Sequence, residues 1–218
     1  SHERTGNFNP RDKNGCTWNM KSQKIIGVLA FHGDVIEHIT ATKNASKNLH
    51  LNIEVVPVRT KEIIYTLDAL IIPGGESTTL HKLCEREGMW EKMKQIKNIF
   101  GTCAGAIMLA KQVSHKTHDQ KTLKLMDIEI DRNAYGRQTE SFEKDIKTSL
   151  GNIHAVFIRA PRITSVGKEI KILAKNNDEI VACEQKIGKN YYLAACFHPE
   201  LTSTIFHEYF IKKVYTKI

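Results

Sequence analysis

Gly101-Thr102-Cys103-Ala104-Gly105 places a thiol between two glycines, each two positions away from it. The G-x-nucleophile-x-G form marks a sharp strand-to-helix turn in which the glycines remove side chains that would clash. Such a turn lifts the sulfur out of a sheet at its carboxyl end. It also sets the sulfur at a helix start, where the dipole and free N–H groups favour a thiolate. A buried cysteine beside a glycine turn would also fit the five residues. A thiolate nucleophile needs a base, and the base needs a group to orient it. Among ten histidines, His198 stands apart because it lies in Phe197-His198-Pro199-Glu200. Pro199 fixes the backbone after the imidazole, and Glu200 can turn back to hold one ring nitrogen while the other faces Cys103. Taken alone, the tetrapeptide is also a turn opening a helix. In Pro73-Gly74-Gly75-Glu76-Ser77, Ser77 reads as a helix N-cap behind a glycine turn. The unobstructed N–H groups of that turn, Gly75 among them, could join that of Ala104 around an oxyanion beside the sulfur.

These segments can meet only if strands bring them to one edge of a sheet. Ile25 to Phe31 is a continuous apolar run, the mark of a strand covered on both faces. Asp34 then caps a helix to about Leu49. Strands follow at Ile53 to Val58 and Ala69 to Ile72, the latter running into Pro73. Helices are expected from Ser77 to about Glu87 and from Met89 to Ile96. Ile99-Phe100 is a short strand entering the cysteine turn, and Ala104 to Lys111 reads as the helix behind it. Beyond a polar stretch from Ser114 to Lys124 the pattern shifts to period 2. Met126 to Ile130, Ser141 to Ile146, Ala155 to Arg159, Ile170 to Ala174, Ile180 to Gln185 and Tyr191 to Phe197 read as strands. A last helix spans about Ser203 to Tyr215. The first half is therefore β-α-β with right-handed crossovers, and the second adds antiparallel strands to the same sheet. Residues 1–22 lack apolar periodicity and read as a disordered or weakly docked extension. Met20 offers an alternative start there. Residues 23–218 read as one domain.

Composition excludes several function classes. The chain has 218 residues, 41% hydrophobic and 26% charged, which is globular rather than disordered or fibrous. Its longest apolar runs fall far short of the ~20 residues a bilayer span needs, so no membrane is expected. The net charge of +8 comes mostly from dispersed lysines, and aromatics are only 7% of residues. Base reading and strand stacking favour arginine and aromatics, so nucleic acid is not expected. The five cysteines are odd in number and contain no C-x-x-C pair, which gives neither a disulfide framework nor zinc-type spacing. With no apolar leader visible, a cytoplasmic location is expected.

The ordered set PGGEST at 73–78, GTCAG at 101–105, RNAYGRQ at 132–138 with SFE at 141–143, FIRAP at 157–161 and FHPE at 197–200 resembles the class I glutamine amidotransferases. RNAYGRQ and FIRAP narrow the resemblance to the glutaminase subunits of pyridoxal 5′-phosphate synthase. It runs from about Ile25 to Tyr215 and implies a flavodoxin-like three-layer α/β/α sandwich with a mixed sheet. By this resemblance Cys103 attacks the side-chain amide of L-glutamine, His198 shuttles the proton and Glu200 orients it. Gly75, Glu76, Ser77, Arg132, Ile158 and Arg159 would contact glutamine, although both arginines would also suit surface ion pairs. Ammonia would pass to a separate synthase subunit. No metal or organic cofactor is implied, because the chemistry needs only thiolate, base and oxyanion donors. Two alternatives stand beside this reading: a glutaminase of another pathway, such as imidazole glycerol phosphate synthesis, or a catalytically silent binding partner. One departure is local: His32 stands where the family usually carries Gln.

Overall fold

A computed structural model describes residues 23–115, 119–132 and 141–216. The expected extension and residues Asn133 to Gln138 of the RNAYGRQ stretch lie outside them. The first half alternates as the apolar runs require. It comprises β1 (Lys24–Leu29), α1 (Val35–Leu49), β2 (Ile53–Val58), α2 (Lys61–Ile64), β3 (Ala69–Ile72), α3 (Ser77–Arg86), α4 (Trp90–Met93), β4 (Asn98–Thr102) and α5 (Ala104–Leu109). There follow β5 (Ala110–Ser114), β6 (Met126–Asp131), β7 (Ser141–Thr148), β8 (Gly151–Ile158), β9 (Arg162–Val166), β10 (Ile170–Asn176), β11 (Glu179–Ile187) and β12 (Asn190–Ala195). A 3₁₀ turn at Pro199–Leu201 leads into α6 (Ile205–Tyr215).

All twelve strands share one mixed sheet, with a main path β2-β1-β3-β4-β12-β11-β10-β7-β8. β2, β1, β3, β4 and β12 are parallel, so their carboxyl ends share an edge. The strands added beyond β12 are antiparallel, apart from the parallel pair β5–β6. Order reverses at β1, which with right-handed crossovers sends α1 to one face and α3 to the other. α1 packs with α6, and α3 packs with α4 and α5. Both faces of the parallel strands are thereby covered, which explains why Ile26, Val28, Leu70, Ile71, Ile72, Ile99 and Phe100 have no exposed surface.

Several expectations need correction. Helix α5 ends at Leu109, and Ala110 to Ser114 is a strand pairing with β6 rather than more helix. The N-cap of α3 is Glu76, not Ser77: its carboxylate accepts from the N–H groups of Thr78 and Thr79. Asp34 stands at the N-cap position of α1 but makes no side-chain cap. Strand β9 and the single turn α2 lack any expected counterpart. Among the described residues no helix is long and apolar enough to cross a membrane.

Candidate active site

Cys103 follows β4 directly, with φ 53° and ψ −109°. A non-glycine residue in that left-handed region carries on the order of 1–3 kcal/mol of strain, and such residues cluster at functional sites. Backbone bonds hold it there. Cys103 N–H donates to the Ala195 carbonyl at 2.8 Å, and the Cys103 carbonyl accepts from Ala106 and Ile107 at 3.0 and 3.2 Å. The flanking glycines are steric necessities: a Cβ on Gly105 would strike the Ile72 carbonyl, and one on Gly101 the Gly105 carbonyl. The sulfur therefore stands at the carboxyl edge with its Sγ 3.6 Å from the Ile158 carbonyl.

His198 arrives from the neighbouring strand. β12 pairs in parallel with β4, Ala195 opposite Thr102, so the two strands end at the same level, with Cys103 one residue and His198 three residues beyond it. A Cβ on Gly74 would lie 2.7 Å from His198 Cε1 and 3.3 Å from Cys103 Cβ, which places thiol and imidazole side by side over that glycine. His198 Nδ1 meets Glu200 Oε1 at 2.7 Å and Asp34 Oδ2 at 3.0 Å. Burial works against a charged imidazole, but hydrogen bonding to Cys103 and Glu200, with their charges, outweighs it. His198 is held up at about 10. Burial pushes the Glu200 carboxyl up to about 7 despite the opposing pull of His198. The donor atoms of Asp34, His198 and Glu200 lie within 4.8 Å of one another, a spacing a cation could use. A raised imidazole instead puts an N–H between the two carboxylates.

The facing wall is the β3–α3 loop. Gly75 has φ +137°, a conformation L side chains rarely adopt, and a Cβ there would run into the His32 ring. The N–H groups of Gly75 and Ala104 both belong to residues lining a cleft of about 770 Å³. Cys103, His198, Glu76, Ser77, Arg132, Ile158 and Arg159 line it as well. Every site residue named from the sequence thus borders one cavity, except Glu200, which is buried behind His198.

Two of those residues are already engaged. The Glu76 carboxylate takes N–H and O–H bonds from Thr78 and Thr79 and pairs with Arg132. Burial opposes ionisation there, yet the Thr79 and Thr78 bonds and the Arg132 charge bring it down to about 2. Arg132 also donates to Thr78 Oγ1 at 3.0 Å and Gln120 Oε1 at 2.9 Å, so it is both an ion pair and part of the cleft wall. Gln120 and Asp34 were not anticipated. Gln120 ties Arg132 to Ser77 by donating to Ser77 Oγ at 2.7 Å, and no sequence signal in its polar surroundings pointed to it. The signal for Asp34 was its place in Phe31-His32-Gly33-Asp34 at the end of β1, obscured by its suitability as a helix cap.

A cysteine elbow, an imidazole held by a buried carboxylate, and a glycine loop at the carboxyl edge of a doubly wound sheet define a thiol-dependent acyl-transfer site. The chain belongs to the SNO glutamine amidotransferase family, whose model matches residues 28–216. It is 45% identical over 199 residues to the pyridoxal 5′-phosphate synthase subunit PdxT of Pyrococcus horikoshii, covering 87% of this chain and 98% of the relative. The PdxT of Methanospirillum hungatei is 47% identical over 197 residues, with 88% and 98% covered. A solved glutamine amidotransferase superposes with a TM-score of 0.74 at 42% identity, covering 87% of this chain and 98% of that one.

Proposed function

We propose that this chain hydrolyses L-glutamine to L-glutamate and ammonia, and that the ammonia is consumed by a partner subunit that makes pyridoxal 5′-phosphate. The observation that carries the reading is the left-handed Cys103 beside an imidazole whose far nitrogen is held by Glu200. Cys103 Sγ attacks the side-chain carbonyl carbon, and the oxygen becomes an oxyanion facing the N–H groups of Gly75 and Ala104. His198 gives a proton to the departing nitrogen, the C–N bond breaks, and ammonia leaves a γ-glutamyl thioester. A water then loses its proton to His198 and attacks the thioester, the C–S bond breaks, and glutamate departs with the thiol restored. Arg132 suits the substrate's α-carboxylate, sharing its charge with Glu76. Ser77, Ile158 and Arg159 complete the wall.

The SNO match and the PdxT relatives favour this pathway over other glutaminases. A cytoplasmic setting belongs to the same proposal and rests on cysteines without paired spacing. The test is release of ammonia and glutamate in equal amounts from glutamine by the chain together with a pyridoxal 5′-phosphate synthase partner. Cys103→Ala should lower the rate by several orders of magnitude while leaving the fold intact. A variant within about tenfold of the parent would remove Cys103 from its role.

A further inference from the structure

Behind Glu200 lies a pair of histidines that the proposed reaction does not use. His38 of α1 and His207 of α6 have no exposed surface. His38 Nδ1 is 2.9 Å from His207 Nε2. On its other side, His38 Nε2 is 3.1 Å from Thr102 Oγ1 and 3.3 Å from Glu200 Oε2. Thr102 is the residue immediately before Cys103. The same imidazole therefore touches both the orienting carboxylate and the strand end that carries the nucleophile. Neither Glu200 Oε2 nor His207 Nδ1 has a hydrogen-bond partner among the described residues, so the approach of His38 to Glu200 is an electrostatic contact beside its hydrogen bond to Thr102.

Those two atoms decide where the protons sit. Burial holds both rings well toward the neutral form, His207 down to about 3, so each carries one N–H. If His38 carried it on Nδ1, its Nε2 lone pair would face a carboxylate oxygen. His207 would then have its N–H on the buried, partnerless Nδ1, which is the costly way to leave a polar group. If His207 donates from Nε2 to His38 Nδ1, the His38 N–H lies on Nε2, between Thr102 and Glu200. Only acceptors are then left unfilled, and every donor has a target, that of His38 being Thr102 Oγ1.

We propose that His38 is a positioning residue for the reaction. Its Nε2–H, fixed in that tautomer by His207, bonds Thr102 and sets its positive end 3.3 Å from Glu200 Oε2, which favours the ionised carboxylate whose Oε1 orients His198. The inference rests on the proposed role of His198 and Glu200. The groups facing Glu200 are His198 from the turn after β12, Asp34 from the β1–α1 loop and His38 from α1. His207 of α6 stands one step behind. Loss of the His38 N–H removes a favourable dipole beside the carboxylate, which raises the pH at which it ionises.

The test follows steady-state glutamine hydrolysis by the full chain with its synthase partner across about pH 5.5 to 9. His38→Leu should lower kcat by roughly tenfold to a hundredfold, since Thr102 loses its partner and a buried carboxylate loses the polar group beside it. It should leave KM for glutamine within about twofold and move the acid limb of kcat up by about one pH unit. His38→Gln, whose amide N–H can reach the same place, should restore most of kcat and the limb. A fall in kcat with an unmoved limb, or no recovery in His38→Gln, overturns the proposal. ¹⁵N spectra of the histidine-labelled parent read the protonation directly and need neither activity nor a stable variant. Both rings should be neutral with the proton on Nε2, and a proton on His38 Nδ1 overturns the tautomer assignment whatever the glutaminase assay shows.

Discussion

Asp34 Oδ2 stands 3.0 Å from His198 Nδ1, on the nitrogen that Glu200 Oε1 meets at 2.7 Å. The two carboxylates are not equivalent. The Glu200 side chain is fully buried, whereas that of Asp34 is 31% exposed at the end of a loop. A desolvated charge-assisted bond is worth more than one that water can replace. Glu200→Gln should therefore lower kcat at least about tenfold more than Asp34→Asn in the same assay. Equal losses would show that the imidazole is shared rather than held by Glu200.

Thiol reactivity should separate the four described cysteines. Burial pushes Cys84 and Cys183 up to about 12 and Cys196 well above its ordinary value, so their sulfurs stay protonated. Cys103 lies in the cleft with an imidazole beside it. Iodoacetamide at neutral pH, followed by peptide mass mapping, should label Cys103 first and the other three only after unfolding. Early labelling of Cys183 would contradict its placement in the core.

Acid should weaken the fold through the histidine pair. His207 is held at about 3 and His38 is also depressed, against an ordinary 6.5. Between those values the unfolded chain binds protons that the folded chain refuses, so stability falls as pH drops below about 6.5. Glu200, raised to about 7, works in the opposite direction as one group against two. His207→Leu should flatten the decline of melting temperature between about pH 6.5 and 4. An unchanged slope would mean that His207 takes up its proton while folded.

Partner control should act through the His32 ring. It fills the space beside the Gly75 Cα, so the β1–α1 and β3–α3 loops lean on each other. A peptide flanked by Gly74 and Gly75 can turn at little steric cost, and aiming one oxyanion donor is worth roughly 10²–10³ in rate. Adding a synthase subunit should raise ammonia release at least about tenfold. His32→Ala should reduce that rise more than it reduces basal turnover, and Gly75→Ala should abolish both. Full activity in the isolated chain would show the donors already aimed.

What could be read from the sequence was what short stretches of chain determine. The cysteine turn, the His-Pro-Glu corner and the parallel strands follow from glycine sterics and continuous apolar runs. Strand β9 was hidden because Arg162-Ile163-Thr164-Ser165-Val166 has a single buried apolar residue, Ile163, and follows a proline. The early end of α5 was hidden because Ala110 is a strong helix former, and only pairing with β6 overrides that preference. Asp34 was visible but misassigned: a carboxylate before a helix suits a cap, and only the folded sheet brings His198 to it. The His38–His207 pair joins residues 169 positions apart through the packing of two helices. Nothing local marks either residue.

The pairing of Ala195 with Thr102 divides the labour of the chain. That register sets the ends of the two strands side by side, with Cys103 one residue beyond Thr102 and His198 three beyond Ala195, and the chain between them is a detour that leaves β4 and returns at β12. Arg132, Ile158 and Arg159 all lie on that detour. Recognition can therefore diverge, through altered loops or a different α-carboxylate clamp, while the reacting atoms stay in place. Part of the choice of amide can thus change without moving the means of breaking it.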